Sequence, residues 1–578
     1  VDNSFIFKEK ASDHRAVTVT IDNQLGEMGK ERVTINEDLC SDPIIQTAIK
    51  EIVEKAYEGN KSERAKWERA HAKLYTFLLG KTKERKATDK AEILRLEAQL
   101  AVVNARAKKH GQCDERARHE KRLQREIFEK KHPEVLREPT EKEARGMFER
   151  SEISSRAMFA TYKGQAKQQW INTMKQAQWE EGKEPVFTGS TSNVKNIGSE
   201  FVKFYKMIFA EKEIHEGWAK KILKKMATKS LLKESREALD RPFSLQEAYH
   251  TMENLPLYKQ AGPNRLPNAL YKRCPTVFAE RFVNMINESR TTGKLPKHFL
   301  EGDISMLYKK DARDDPRHYR PITLLNADYK IFTRILAKRM GTVVHQFVSE
   351  CQKGFVPDTF IAEATMLLRM TEAYINEEPT SRQGAFLFLD MEKAFDRVSY
   401  EFTNRGLEAL GFGKHFRKWV GMMYDTKNAP KRRMYVNGYY SEEFRIKSGV
   451  AQGCPLSPLL FLIVAEGLKI SMDMEPNFKG IDVNGSLHRI LQFADDTTIF
   501  MGDIAEEKYV TRALNRWCQA TGMRENMKKR EGLGMGKYRG QDLGHGIKWA
   551  SHDGWCISLG VPIGNEFKES KWWGEKIN

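Results

Sequence analysis

Short apolar runs alternate with polar breaks along this chain, and several breaks carry acids. Leu491-Gln-Phe-Ala and Thr497-Thr-Ile-Phe500 flank an acidic pair, Asp495 and Asp496. Runs of this length predict strands, and the pair between them predicts the tight turn of a hairpin. Gly384-Ala-Phe-Leu-Phe-Leu389 is a second run, ending in Asp390 and followed by Met391-Glu-Lys-Ala-Phe-Asp396. That order predicts a buried strand that delivers a carboxylate at its C-terminal end and then turns into a helix. The N-terminal part follows the helical period instead. Ile45, Ile49, Ile52, Val53, Ala56 and Tyr57 recur at near-helical spacing, and Ile93, Leu96, Leu100 and Val103 do so again after Thr88, which is expected to cap. Residues 41–135 are therefore predicted helical, and residues 140–240 largely so. Phe201, Phe204, Tyr205 and Phe209 form a stripe at helical spacing. Such spacing favours a buried core face over base stacking.

Local signals continue downstream. Ser244 with Glu247 three residues on reads as a capped helix start. Ile304-Ser-Met-Leu-Tyr reads as a strand ending in Lys309 and Lys310. Arg320 precedes Pro321, which holds it in extended backbone. Tyr329 to Arg339 reads as an amphipathic basic helix. Arg432 to Ile446 reads as a hairpin around Asn437-Gly438. Ser457 is expected to cap the apolar helix from Leu459 to Leu468, with Pro458 suited to its first position. Val510 to Cys518 reads as a further helix.

Charge narrows the partners. The 578 residues include 97 Lys and Arg against 79 Asp and Glu, a formal net charge of +18. That excess suits a polyanion, and nucleic acid is the leading candidate over a merely solvated surface. Dense charges at 81–86, 106–110 and 116–131 read equally as an RNA-contacting basic connector or as the solvated face of a helical hairpin. The seven cysteines are scattered without any Cys-x-x-Cys pair, so neither a zinc knuckle nor a disulfide framework is supported. They read as reduced intracellular thiols. No apolar run is long enough to span a membrane, and no signal peptide is expected.

Two adjacent carboxylates repel each other, and a divalent cation relieves that repulsion while keeping open positions for phosphate oxygens. On the Asp495-Asp496 stretch alone, a surface turn is as good a reading. Asp390 on a separate segment supplies the third carboxylate that metal-assisted phosphoryl transfer needs.

Phe388-Leu-Asp390 through Lys393-Ala-Phe-Asp396, then Gly453-Cys-Pro-Leu-Ser-Pro458, then Phe493-Ala-Asp-Asp496, in that order, resemble the palm of a reverse transcriptase. The combination is most similar to LINE-type non-LTR retrotransposons, over roughly residues 240–565. The resemblance implies an α+β fold: right-hand polymerase fingers and palm (241–565), a basic helical linker and N-terminal extension (31–240), and a thumb largely missing, its start at 566–578. It implies RNA-directed DNA synthesis with Mg²⁺ or Mn²⁺ held by Asp390, Asp495 and Asp496. It implies that Lys309, Lys310 and Arg320 grip the incoming triphosphate, and that Gln452 and Gly453 contact nucleotide and template. Phe395 would stand under the sugar and reject a 2′-hydroxyl, where a core Phe is the plainer reading. Lys528 or Lys529 would protonate departing pyrophosphate. Gly262-Pro-Asn-Arg-Leu-Pro267 resembles a fingers loop but has Asn264 and Arg265 where Asp and Gly are usual. Gln352-Lys-Gly-Phe-Val-Pro357 resembles a loop along the template. Ser151 to Arg156, with Trp170 and Trp179, resembles the segment before the fingers, and Ser558 to Gly564 the hairpin that grips the primer. Ser12-Asp-His-Arg-Ala-Val-Thr-Val-Thr-Ile21 resembles the last motif of the upstream apurinic-type endonuclease. Asp13 and His14 thus read as the remnant (1–30) of a truncated domain, with no nuclease activity expected. Implied partners are template RNA, primer DNA and deoxynucleoside triphosphates within an element RNA–protein complex, and implied locations are nucleus and cytoplasm. Two rivals are a maturase-like reverse transcriptase and a non-catalytic RNA-binding remnant.

Overall fold

The computed structural model describes residues 5–7, 16–18, 34–110, 113–131 and 170–564. Asp13, His14, Ser151 to Arg156 and the expected thumb start at 566–578 lie outside the described residues. The chain divides into two compact units. One comprises residues 1–32, 60–68 and 171–578, the other 33–59 and 69–170.

The described residues of the smaller unit are largely helical, as its apolar spacing predicts. Pro43–Tyr57 buries Ile45, Ile49, Val53 and Ala56 on one face. Asp42 caps it, its carboxylate accepting from the Ile44 N–H at 2.8 Å. The helix Glu63–His110 is followed by Asp114–Lys131. Leu96, Leu123 and Ile127 bury against each other, and Lys130–Glu92 (2.7 Å) and Lys131–Glu97 (2.8 Å) tie the two strands of this helical hairpin. Thr88 caps nothing. It lies inside the long helix, where its hydroxyl donates to the Glu84 carbonyl at 3.1 Å. Good helix formers on both sides carry the helix through it.

The larger unit holds two five-stranded sheets. In the first, Gln383–Leu389 lies at the centre, between Asp496–Met501 and Glu531–Gly536, with Ile490–Phe493 and Lys548–Trp549 at the edges. Gln383–Leu389 is buried along nearly its whole length, which explains its continuous apolar run. Phe386, Phe388, Leu491, Phe500, Leu533 and Met535 form a core beneath it with Leu368 and Ile375 of the helix Ile361–Glu377. The helix Ser457–Asp473 is buried on nearly every side. The second sheet pairs Glu301–Tyr308 with Tyr319–Leu324 and, in parallel, with Lys431–Val436. The Asn437-Gly438 turn forms as expected, with both residues at positive φ (49° and 86°). The Ser244–Glu247 capping box is present, and Trp555–Ser558 pairs with Val561–Gly564 in the expected hairpin.

Two further expectations change. Residues 140–240 are expected largely helical; among the described residues, from 170 on, Met174–Gln178 and Val186–Thr191 instead form an antiparallel hairpin, with helix from Val194 onward. Gly182, at a φ of 86°, breaks the chain there, and the run Val186-Phe-Thr favours a strand. Ser457 is the first residue of its helix rather than its cap, and its hydroxyl lies 3.5 Å from that of Tyr424. Arg265, standing where a glycine is usual, adopts a φ of 63°. The left-handed turn survives with a side chain, which donates to the Tyr440 hydroxyl at 2.7 Å. The aromatic stripe at Phe201, Phe204, Tyr205 and Phe209 is core, as expected.

Candidate active site

Sheet register brings the carboxylates together. Leu389 pairs with Thr497 in an antiparallel ladder. One residue further on, Asp390 comes level with Asp496 at the same end of the sheet, beside Asp495. Facing residues on adjacent strands are about 5 Å apart, so three acids from two segments share one point. The turn itself uses Ala494 and Asp495, because Phe493 already pairs with Asp496. Ala494 holds a φ of 57°, an unfavourable conformation for a residue with a Cβ.

Gln352 holds that turn. Its buried side-chain carbonyl accepts from the N–H groups of Ala494 (2.9 Å) and Gly354 (2.8 Å), and Lys353 N–H donates to the Gln492 carbonyl at 2.8 Å. The loop expected along the template thus braces the acidic turn from behind.

Burial and mutual charge set the electrostatics. The Asp495 carboxyl is pushed above the usual range, by burial first and by Asp390 among its neighbours. Asp496, though accessible as a residue, has its carboxyl pushed up to about 6, by desolvation first and then by Asp495 and Asp390. Crowded, partly desolvated carboxylates that resist ionising are a donor set suited to a hard divalent cation. Asp390 accepts from Lys529 Nζ at 3.0 Å and from Asn526 Nδ2 at 3.1 Å.

A cavity of about 870 Å³ opens onto these acids. Lys309, Lys310, Arg320, Asp390, Phe395, Gln452, Gly453, Asp495, Lys528 and Lys529 all line it; Asp496 does not. Burial lowers the Lys309 ammonium, helped by the nearby charges of Arg320 and Lys529. The concentration of cations at one wall and carboxylates at another suits a polyanionic ligand that also meets metal. Phe395 stacks on Phe461 at 4.8 Å and 12° and meets Phe355 edge-on at 6.1 Å. One aromatic ring is thereby fixed while it borders the cavity.

The Gly-rich loop is shaped by close approach. Gly453 has a φ of 119°, and a Cβ there would stand 2.6 Å from the Thr323 carbonyl oxygen. The Gln452 carbonyl accepts from Thr323 N–H at 2.8 Å, and Val450 N–H donates to the Phe395 carbonyl at 2.8 Å. These bonds tie the loop to the second sheet at Thr323 and to the short helix Ala394–Arg397 that follows Asp390.

Several cavity residues escaped sequence reasoning. Asp396 is fully enclosed and accepts from Gln452 Nε2 at 3.1 Å, which orients that amide. Lys393, at a φ of 50°, donates to the Tyr319 carbonyl and the Tyr205 hydroxyl. Burial pushes the Asp396 carboxyl up and the Lys393 ammonium down. Both stand in the Lys393-Ala-Phe-Asp396 motif, so the signal was present but their roles were not assigned. Trp179, Glu180, Lys183 and Glu184 also line the cavity. They lie on the hairpin where helix was expected, more than 200 residues from Asp390 in the chain.

Residues 307–545 match the family model described as reverse transcriptase (RNA-dependent DNA polymerase). The chain is 25% identical over 421 residues to the transposon TX1 uncharacterized 149 kDa protein of Xenopus laevis, covering 71% of this chain and 31% of that protein. It is 29% identical over 240 residues to a retrovirus-related Pol polyprotein from type-1 retrotransposable element R2 of Nasonia vitripennis, covering 41% and 22% respectively. It is 24% identical over 231 residues to a probable RNA-directed DNA polymerase from transposon BS of Drosophila melanogaster, covering 39% and 25%. The chain spans less than a third of the length of each of these relatives.

Proposed function

We propose, from the premise that this chain carries a reverse transcriptase domain akin to those of non-LTR retrotransposons, that it is an RNA-directed DNA polymerase of a LINE-type element. The observation that carries this reading is the sheet register that sets Asp390 level with Asp496 beside a cation-lined cavity.

The reaction is attack by a primer 3′-hydroxyl on the α-phosphorus of a deoxynucleoside triphosphate. The new bond joins the 3′-oxygen to the α-phosphorus. The bond to the β-phosphate bridging oxygen breaks, pyrophosphate leaves, and the hydroxyl proton passes to solvent. Asp390, Asp495 and Asp496 would hold divalent cations, which lower the pKa of the attacking hydroxyl and neutralise charge on the leaving oxygen. Lys309, Lys310 and Arg320 bind the triphosphate, Arg320 through a planar fork suited to phosphate. Asp396 fixes Gln452 toward the nucleotide. Phe395, immobilised on Phe461, excludes a 2′-hydroxyl by shape. Catalysis rests on position and charge, since this chemistry asks little of proton transfer from side chains. Residues 241–565 are assigned as fingers and palm, and the basic helices before them as a connector that contacts template RNA.

Primer extension tests the reading. DNA synthesis on an RNA template with Mg²⁺ is expected from the chain, and Asp495→Ala is expected to reduce it by at least about 10²-fold. RNA binding with no extension by either protein would instead favour a non-catalytic RNA-binding remnant.

A further inference from the structure

The turn between Met174–Gln178 and Val186–Thr191 lines the cavity, and two of its acids, Glu181 and Glu184, are held in different ways. Glu181 is anchored. It pairs with Arg397 and, at 3.0 Å, with Lys212, whose side chains are 1% and 4% exposed. Arg397 also meets Glu392 at 3.3 Å, and cations so enclosed hold their carboxylates close because unpairing a buried charge is costly. Glu184 is not anchored. It bridges Lys528 and, at 3.7 Å, Arg317, and its own side chain is 67% exposed and that of Lys528 78%. Exposed pairs of this kind are weak and screened by salt.

Arg317 is nonetheless rigid. Its Nε and Nη2 grip Asp315 at 3.1 and 2.7 Å. The rings of Trp179 and Phe187 flank it at 6.0 and 5.8 Å. That leaves Nη1 as the atom facing Glu184. Trp179 also lines the cavity, and its indole N–H is buried without a hydrogen-bond partner. A rigid guanidinium edge and an exposed ammonium therefore face one carboxylate beside the cavity. An anion with several phosphate oxygens would satisfy both better than Glu184 does, because Arg takes phosphate through paired hydrogen bonds.

We propose that Arg317 and Lys528 form a rim site for a polyphosphate anion, with Glu184 as a resident anion that the polyphosphate displaces. Resting on the polymerase reading above, the occupant is the pyrophosphate leaving group on its way out. Glu184 then serves two ends. It keeps the rim cations from retaining product, and it returns to them once pyrophosphate has gone. Glu181 keeps the turn in place while Glu184 swings.

Titration calorimetry of the full chain with inorganic pyrophosphate at low salt tests the site without requiring synthesis. Glu184→Gln removes the competitor and is expected to tighten binding by roughly 2- to 5-fold, the range of an exposed ion pair. Lys528→Gln is expected to weaken it, and the double variant is expected to lose the gain. Both side chains are exposed, so the fold is not at stake, and a thermal melt of each variant checks this. Unchanged or weaker binding by Glu184→Gln would overturn the proposal, as would wild-type binding by Lys528→Gln. The same titration on Asp495→Ala separates the two readings. Competition by Glu184 without any primer extension would retain the anion site and remove the polymerase. Extension without competition would do the reverse.

Discussion

Gln352 is a side chain with no reacting partner, and its loss should still silence the centre. Replacing it by Ala leaves the buried N–H groups of Ala494 and Gly354 without their acceptor. Each unsatisfied donor costs about 1–3 kcal/mol, so chemical denaturation of Gln352→Ala should reveal a loss of about 2–6 kcal/mol for the two, with extension reduced further as the turn at Ala494 relaxes. Phe395→Val should leave deoxynucleotide incorporation largely intact while raising ribonucleotide incorporation by about 10-fold or more, a discrimination of the size one buried steric contact supplies; single-nucleotide insertion assays measure it. Glu372 tests electrostatics away from the chemistry. Burial is the main cause that pushes its carboxyl up to about 7 from an ordinary value of 4.5, against the opposing charges of Arg369 and Arg539. A carboxyl with a raised folded pKa binds more protons folded than unfolded. Its stability is therefore complete below about 4.5 and is lost as pH rises through about 7. Glu372→Gln should raise the melting temperature at pH 8, by on the order of 1–3 kcal/mol of stability, and change little at pH 4.

At the scale of elements, the decisive part is the Gly-rich loop bonded to Thr323 and Phe395. Gly453→Ala would drive a Cβ against the Thr323 carbonyl oxygen at 2.6 Å while its backbone sits at a φ of 119°. The loop must then shift, taking Gln452 out of reach of Asp396. Nucleotide KM should rise at least about 10-fold in steady-state extension, a loss comparable to one misplaced hydrogen bond to a charged group. Asp396→Asn keeps the shape of the pair but not its charge, and should produce a smaller change of the same sign. Elements declared themselves in the sequence wherever their pattern was local. The acidic hairpin forms with its turn one residue earlier than expected, at Ala494-Asp495, and the Asn437-Gly438 turn and the capping box at Ser244 form as expected, because turn chemistry and capping act within a few residues. The hairpin at 174–191 was missed because its strands are short and its partners lie elsewhere: Lys175 N–H donates to the Asp314 carbonyl at 2.8 Å, a contact no local pattern announces.

For the whole molecule, the net charge of +18 predicts strongly salt-dependent RNA binding. If about six phosphates are neutralised, raising salt from about 50 to 200 mM should weaken single-stranded RNA binding by roughly 10²–10³-fold, as read by fluorescence anisotropy. A flat response would argue that the basic residues are spent on internal pairs, as Arg397 and Lys212 are on Glu181.

By itself, the sequence determined the three acids, the strands that carry them and the excess of positive charge. Each is a statement about composition or short-range order, where one residue type in one spacing has few physical outcomes. Only the tertiary structure decided which groups act on those acids. Gln352 reaches Ala494 across 142 residues and Lys529 reaches Asp390 across 139. Glu184 reaches Lys528 across 344. Contacts at such separations are set by how sheets and helices bury their apolar faces together, and that global packing is written over the chain as a whole rather than at the positions it joins.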